Sequence, residues 1–219
     1  MLHKMPSLYL ITPPKIDDLV AFAATFASLA CDDIAYLQLR LKNTSEAAII
    51  KAAETLLPLC RAHNINLIMN DNPALARLCD CDGVHIGQSD MPYTQARQIM
   101  GADKIIGVTC HASYDLAIQA AQAGADYVAF GAFYNSPTKT TASAADPSIL
   151  KTWQAATTTL RSIPCVAIGG ITPTNAAPLI AAGADFLAVS SGVWDYKDGA
   201  QAAIASFTAL LNSAMERTL

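Results

Sequence analysis

Charge is what this sequence has least of. Only 15% of its 219 residues are Asp, Glu, Lys or Arg, where an average soluble domain carries about 25%. Fourteen Lys and Arg stand against 18 Asp and Glu, a net charge of −4. So few cations on an acidic chain cannot build a broad basic face, which excludes a general nucleic-acid binder. Long apolar runs are also missing. Despite a mean hydropathy of +0.30, no stretch of about 18 residues is free of charges and turn formers, so no membrane span is expected. The N-terminus, MLHKMPSLYLITPPK, lacks a long apolar segment followed by a small-residue cleavage site, so no secretory signal is expected. No CxxC occurs among the six cysteines at 31, 60, 79, 81, 110 and 165. Cys79-x-Cys81 has no second Cys/His pair at zinc spacing. Several cysteines lie in apolar runs, such as 163–168, and are expected to be reduced core residues of a cytoplasmic protein. No GxGxxG follows the first apolar run, and no Ser/Gly-rich linker divides the chain. One domain, 1–219, is expected.

What is present is alternation. Hydrophobic residues make up 53% of the chain, a balance opposite to that of a disordered one. Short β-branched runs read as strands at Leu8–Thr12, Ala35–Arg40, Asn66–Met69, Gly83–Ile86, Ile105–Val108, Tyr127–Gly131, Cys165–Ile168 and Phe186–Ser190. Between them, segments of helical period fall at 17–29, 45–63, 72–79, 92–100, 112–123, 146–157, 173–182 and 199–215. Asp17, Ser45 and Ala112-Ser113 precede three of these as candidate caps, and Thr172-Pro173 opens the seventh. Ala-Gly-Ala-Asp occurs at 123–126 and again at 182–185, each time ending a helix and leading into a strand. The strands are apolar on both faces, as in a parallel sheet covered by helices. Eight βα units in 219 residues average about 27 residues each, which predicts a single (β/α)8 TIM barrel with short loops. One connection is longer, at 131–147, and long loops after barrel strands lie on the active face.

The chemistry is expected where strands end. In YLQLRLK, period two puts Gln38, Arg40 and Lys42 on one side and Leu37, Leu39 and Leu41 on the other. Two inward cations call for an anion. The third strand ends in Asn70 and Asp71, and the fourth leads through GQSD to Asp90. Two carboxylates from neighbouring strands suit Mg²⁺, with phosphate oxygens and water completing its shell, or an acid–base pair. Asp71 also reads as a helix N-cap. Thr109 reads as a phosphate donor or a cap. His85 and His111 read as structural histidines, and Cys110 as a packed side chain. The long loop offers Ser136, Thr138 and Lys139 as an anion contact. Gly169, Gly170, Ser190 and Ser191 after the last two strands fit the phosphate site common in barrels. Two anion-binding ends imply two phosphorylated small molecules, or one with phosphates at both ends.

The series QLRLK, NDxxxLA, DGVHIGQSD, IIGVTCH, Ser-x-Thr-Lys, AIGGI and VSSG runs along almost the whole chain. In this it resembles the thiamine-phosphate synthase family of the TenI-like superfamily. The resemblance implies a (β/α)8 enzyme that joins hydroxymethylpyrimidine diphosphate to a thiazole phosphate, releasing pyrophosphate with Mg²⁺. It implies pyrimidine diphosphate contacts from Gln38, Leu39, Arg40, Leu41 and Lys42 with Asn70, Thr109 and Lys139. Arg40, Lys42, Thr109 and Lys139 would be the catalytic set. Ser136, Pro137, Thr138, Gly170, Ser190 and Ser191 would bind the thiazole phosphate, and Asp71 and Asp90 the metal. The chain departs from the family pattern at Leu41, Thr109, Ala132, Asn135 and Ser136. Partners are expected to be small molecules, with room for a homo-oligomer. A thiazole tautomerase or other phosphate-binding barrel, and a non-catalytic thiamine phosphate-binding regulator, are the alternatives. Ala132 stands where the tautomerase resemblance calls for a histidine.

Overall fold

Eight parallel strands close on themselves in chain order, β1 to β8, with β1 pairing β8. This computed structural model describes residues 6–135, 145–156 and 163–216. The strands are β1 Ser7–Ile11, β2 Ile34–Leu39, β3 Asn66–Asn70, β4 Gly83–Ile86, β5 Ile105–His111, β6 Tyr127–Gly131, β7 Cys165–Ile168 and β8 Phe186–Val189. The helices are α1 Leu19–Leu29, α2 Glu46–Ala62, α3 Pro73–Leu78, α4 Tyr93–Met100, α5 Tyr114–Ala123, α6 Ser148–Ala156, α7 Ala177–Ala181, α8 Ser191–Trp194 and α9 Ala200–Glu216. The expected (β/α)8 barrel is thus observed, with one short extra helix, α8, directly after β8. Among the described residues no helix is long and apolar enough to cross a membrane.

The apolar content divides into two layers. Leu8, Leu10, Leu37, Leu39, Leu67 and Met69 face outward into the layer between barrel and helices. Tyr9, Ile11, Ile68, Ala129, Val166 and Ala188 fill the barrel interior. Along β1 these residues alternate, as pleated strands require. Gly107 on β5 makes room inside: a Cβ there would lie 1.8 Å from Cζ of Tyr127. The Tyr127 ring occupies the space that a side chain at 107 would otherwise take.

Local signals at helix starts differ from expectation in two places. The cap of α1 is Asp18, whose carboxylate accepts from the Ala21 amide at 2.9 Å; Asp17 instead pairs with Lys15. The seventh helix starts at Ala177, not at Thr172-Pro173. Asn175 folds back so that its Oδ1 accepts from the Thr172 amide at 2.8 Å, and the closed turn holds Pro173 outside the helix. Ser45 and Ser113 cap α2 and α5 as their positions predict.

The base of the barrel is held by aspartates that precede three of the four even-numbered strands. Asp82 before β4, Asp126 before β6 and Asp185 before β8 each accept a backbone amide at 2.8 Å. The donors are Leu67 of β3, Ile106 of β5 and Cys165 of β7. Two of these are the aspartates of the repeated Ala-Gly-Ala-Asp. In that motif the glycine takes the positive φ that ends the helix, at Gly124 and Gly183. The aspartate then clasps the neighbouring strand.

Candidate active site

At the opposite end the strands' C-termini surround a cavity of about 690 Å³. Its walls are built from backbone outward. Past the end of β1, the buried Thr12 hydroxyl accepts from the Arg40 amide at 2.9 Å and donates to the Arg40 carbonyl at 3.2 Å. This extends the pairing of β1 with β2 by one residue and holds Arg40 at the cavity edge. The Lys42 amide donates to the Pro14 carbonyl at 2.8 Å. Gln38 and Arg40 line the cavity, while Leu39 is buried among the helices, so strand phase is as the alternation predicts. Lys42 is exposed and does not line the cavity, because β2 ends at Leu39 and the alternation does not continue beyond Arg40. Leu39 and Leu41 also do not line it; both pack in the outer layer.

Asp71 follows β3 in the left-handed region at φ 61°, with its amide donating to the His85 carbonyl at 2.8 Å. It is not a helix cap. That task falls to Asn72, whose Oδ1 accepts from the Leu75 amide at 3.0 Å, so the Asp71 carboxylate remains available. Asp90 turns back over its loop, its Oδ2 accepting from the Gly87 amide at 2.7 Å. The two carboxylates face each other. Partial burial and the charge of Asp90 push the Asp71 carboxyl up to about 6, although Arg40 and Asn70 pull the other way. Two crowded hard-oxygen donors fit a divalent cation, which relieves their repulsion. Among the described residues no third carboxylate, His or Cys joins them, so a metal there would need other ligands from substrate and water.

Across the barrel, Gly169 and Gly170 adopt φ of 106° and 62°. The Gly169 carbonyl accepts from the Tyr134 amide at 3.0 Å and that of Gly170 from Asn175 Nδ2 at 2.9 Å. Ser190 Oγ donates to the Thr12 carbonyl at 3.3 Å, and Ser191 opens α8. Gly192 sits so close to Ile171 that a Cβ would lie 2.1 Å from its carbonyl oxygen. Gly170, Ser190 and Ser191 all line the cavity. Ser136, Pro137, Thr138 and Lys139 lie outside the described residues.

The floor holds residues that sequence reasoning undervalued. Thr109 is no cap, since Ser113 serves α5; its hydroxyl is 2.7 Å from His85 Nε2. His85, read as structural, lines the cavity, and burial pushes it down to about 4, so it is neutral at physiological pH. Tyr9 also lines the floor and touches Gln38 and Tyr127 through its hydroxyl. No local motif marks Tyr9; only the inward phase of β1 could have suggested it, as that of β4 could have suggested a site role for His85. Cys110 is fully buried and burial raises its thiol to about 12, as a packing role requires.

Fold and site together define a parallel (β/α)8 barrel with a polar cavity at the C-terminal ends of its strands, the face on which barrel enzymes carry their active sites. A family model described as thiamine monophosphate synthase matches residues 8–193. The chain is 52% identical over 205 residues to thiamine-phosphate synthase of Rhodospirillum centenum, covering 93% of this chain and 97% of that one. It is 47% identical over 211 residues to the synthase of Hyphomonas neptunium, covering 94% of each. A solved thiamine phosphate pyrophosphorylase from Pyrococcus furiosus superposes with a TM-score of 0.80 at 27% identity, over 98% of this chain and 99% of that one. The chain belongs to the thiamine monophosphate synthase family, whose members are transferases.

Proposed function

We propose that this barrel joins hydroxymethylpyrimidine diphosphate to a hydroxyethylthiazole phosphate, or its carboxylated form, giving thiamine phosphate and pyrophosphate. The observation that supports this reading is that two different polar groups, each suited to an anion, line one cavity. Arg40, Asp71 and Asp90 stand on the β2–β4 side, and Gly170, Ser190 and Ser191 stand after β7 and β8. In a closed barrel of eight strands, β3 and β7 are diametrically opposed. A diphosphate with a metal fits the first side and a monophosphate the second, so the reacting carbon and nitrogen would meet over the floor between them.

Asp71 and Asp90 would hold Mg²⁺, which supplies positive charge to a bound diphosphate. Arg40 adds a fixed cation at the same edge, and Asn70 offers an amide beside it. Lys42 and Lys139 are assigned by resemblance to the same diphosphate. As the C–O bond to the diphosphate breaks, negative charge grows on the leaving oxygen, and cations already in place stabilise it. The electron pair leaves with pyrophosphate, and the thiazole nitrogen supplies the pair that forms the new C–N bond. No protein nucleophile is needed. Cys110 is buried as a neutral thiol, and His85 spends both ring nitrogens on neighbours.

Incubating the chain with both substrates and Mg²⁺ tests this directly. Pyrophosphate and thiamine phosphate are expected in equal amounts, and neither when any one component is omitted. Thiamine phosphate binding without turnover would identify a regulator instead. Conversion of the thiazole phosphate alone would identify a tautomerase.

A further inference from the structure

Five side chains from five strands form one hydrogen-bonded chain across the barrel axis. Gln38 Nε2 on β2 lies 3.0 Å from the Tyr9 hydroxyl on β1. Tyr9 lies 2.8 Å from the Tyr127 hydroxyl on β6. Tyr127 lies 3.0 Å from His85 Nδ1 on β4, and His85 Nε2 lies 2.7 Å from Thr109 Oγ1 on β5. Burial raises both phenols well above their ordinary value, and each His85 ring nitrogen meets a hydroxyl rather than a carboxylate, the surroundings of a neutral imidazole. Each phenol then has one proton to give, and the imidazole one.

That count makes the chain directional. An amide nitrogen only donates, so Tyr9 accepts from Gln38 and spends its own proton on Tyr127. Tyr127 in turn donates to Nδ1 of His85, whose remaining proton therefore sits on Nε2 and is given to Thr109 Oγ1. The Thr109 hydroxyl then keeps its proton for another acceptor, and Thr109 lines the cavity. At the other end, Gln38 Oε1 is no buried orphan, since among the described residues no buried side-chain N or O atom lacks a partner. It faces the cavity that Gln38 lines. If the Gln38 amide turned over, every donor in the chain would reverse. His85 would carry its proton on Nδ1, and Thr109 would have to spend its hydroxyl proton on Nε2.

We propose that Tyr9, Tyr127 and His85 are positioning residues: they transmit the orientation of the Gln38 amide across the floor, so that the Thr109 hydroxyl donates to a phosphate oxygen of the substrate. The phosphate acceptor rests on the synthase reading; the direction of the chain does not. A substrate that accepts or donates correctly at Gln38 thereby sets the hydrogen-bonding character of Thr109 on the far wall.

The test is a long-range ¹H–¹⁵N spectrum of the full-length, substrate-free protein near pH 7.5, with the His85 signal assigned by its loss in His85→Gln. The expected result is a neutral imidazole protonated at Nε2. Gln38→Glu, an acceptor only when ionised, should move that proton to Nδ1. Tyr9→Phe, which cuts the chain while keeping the ring, should leave a mixture. An Nδ1 proton in the unmodified protein would overturn the proposal, as would an unchanged Nε2 form in both variants. Kinetics give a second readout, because Tyr127 does not line the cavity. Tyr127→Phe and Thr109→Val should each raise KM for the diphosphate substrate roughly 3- to 10-fold. The double variant should be no worse than Thr109→Val alone, and Thr109→Ser should restore binding. Multiplicative effects in the double variant would mean that Tyr127 does not act through Thr109, and would overturn the proposal. Absence of any turnover would count against the synthase reading and leave the spectrum to decide the chain's direction.

Discussion

The two ends of this barrel use the same residue for opposite purposes. At the base, the carboxylates of Asp82, Asp126 and Asp185 each accept a backbone amide from the neighbouring strand. At the mouth, Asp71 and Asp90 face each other, and Asp71 is raised to about 6 by partial burial and that repulsion. The base aspartates therefore stabilise the fold, whereas the mouth aspartates repel each other and strain it. The difference lies in the backbone nearby. Strand N-termini offer unpaired amides that a carboxylate can take, while the loops after the strands turn the two carboxylates toward a common point.

This contrast can be broken by mutation, and the largest effect is expected at the mouth. Arg40→Ala should lower turnover by on the order of a hundredfold with the melting temperature unchanged. Equal activity in a coupled pyrophosphate assay would remove Arg40 from the site. At the base the pattern should invert. Asp185→Ala leaves the fully buried Cys165 without a partner for its amide. It should cost about 1–3 kcal/mol in denaturant unfolding, with kcat retained. Gly107→Ala belongs between the two regions. Its Cβ would run into the Tyr127 ring, and a similar 1–3 kcal/mol loss is expected, together with the raised diphosphate KM of Tyr127→Phe.

A smaller effect carries the sharper sign. A carboxyl raised in the folded state favours the protonated form. Its contribution is therefore present below the unfolded value of 3.8 and is lost as pH rises through about 6. In EDTA above pH 6, Asp90→Asn should raise the melting temperature, by at most about 2–4 °C because the pair is partly exposed to solvent. Excess Mg²⁺ should reverse the order of variant and parent. A fall in melting temperature under EDTA would show that the mouth aspartates are structural after all. The smallest effect belongs to Asp80, an exposed base carboxylate between Arg61 and Lys104, 2.8 Å from each. The two cations hold it down at about 2. Its contribution is present above 3.8 and disappears as pH falls through 2. Asp80→Asn should be barely detectable in thermal unfolding at neutral pH, and undetectable in 1 M salt.

Much of the fold and half of the mouth were legible in the residues. Strand-period alternation put Gln38 and Arg40 on one side and Leu37 and Leu39 on the other, and both pairs face as that phase requires. The glycines after β7 and the serines after β8 line the cavity as their positions suggested. Lys42 was misplaced because period-two reasoning ran past the last residue of β2. Thr172-Pro173 was read as a helix start because the competing turn depends on the Asn175 side chain three residues on. Asp71 reads as a cap because any of the three Asx residues Asn70, Asp71 and Asn72 could cap α3, and only φ at Asp71 decides that Asn72 does so.

By itself the sequence determined what is local and periodic: the eight βα units, the face each strand side chain takes, and the rarity of charge that makes the clustered Arg40, Asp71 and Asp90 informative. The tertiary structure alone decided which residues meet across the barrel. Tyr9 and Tyr127 are 118 positions apart yet share a hydrogen bond, and neither carries a local pattern that marks it. Their meeting depends on strand register and on the space left by Gly107. Closure of the barrel brings those residues onto one axis, and with them His85 and the direction of the chain that reaches Thr109.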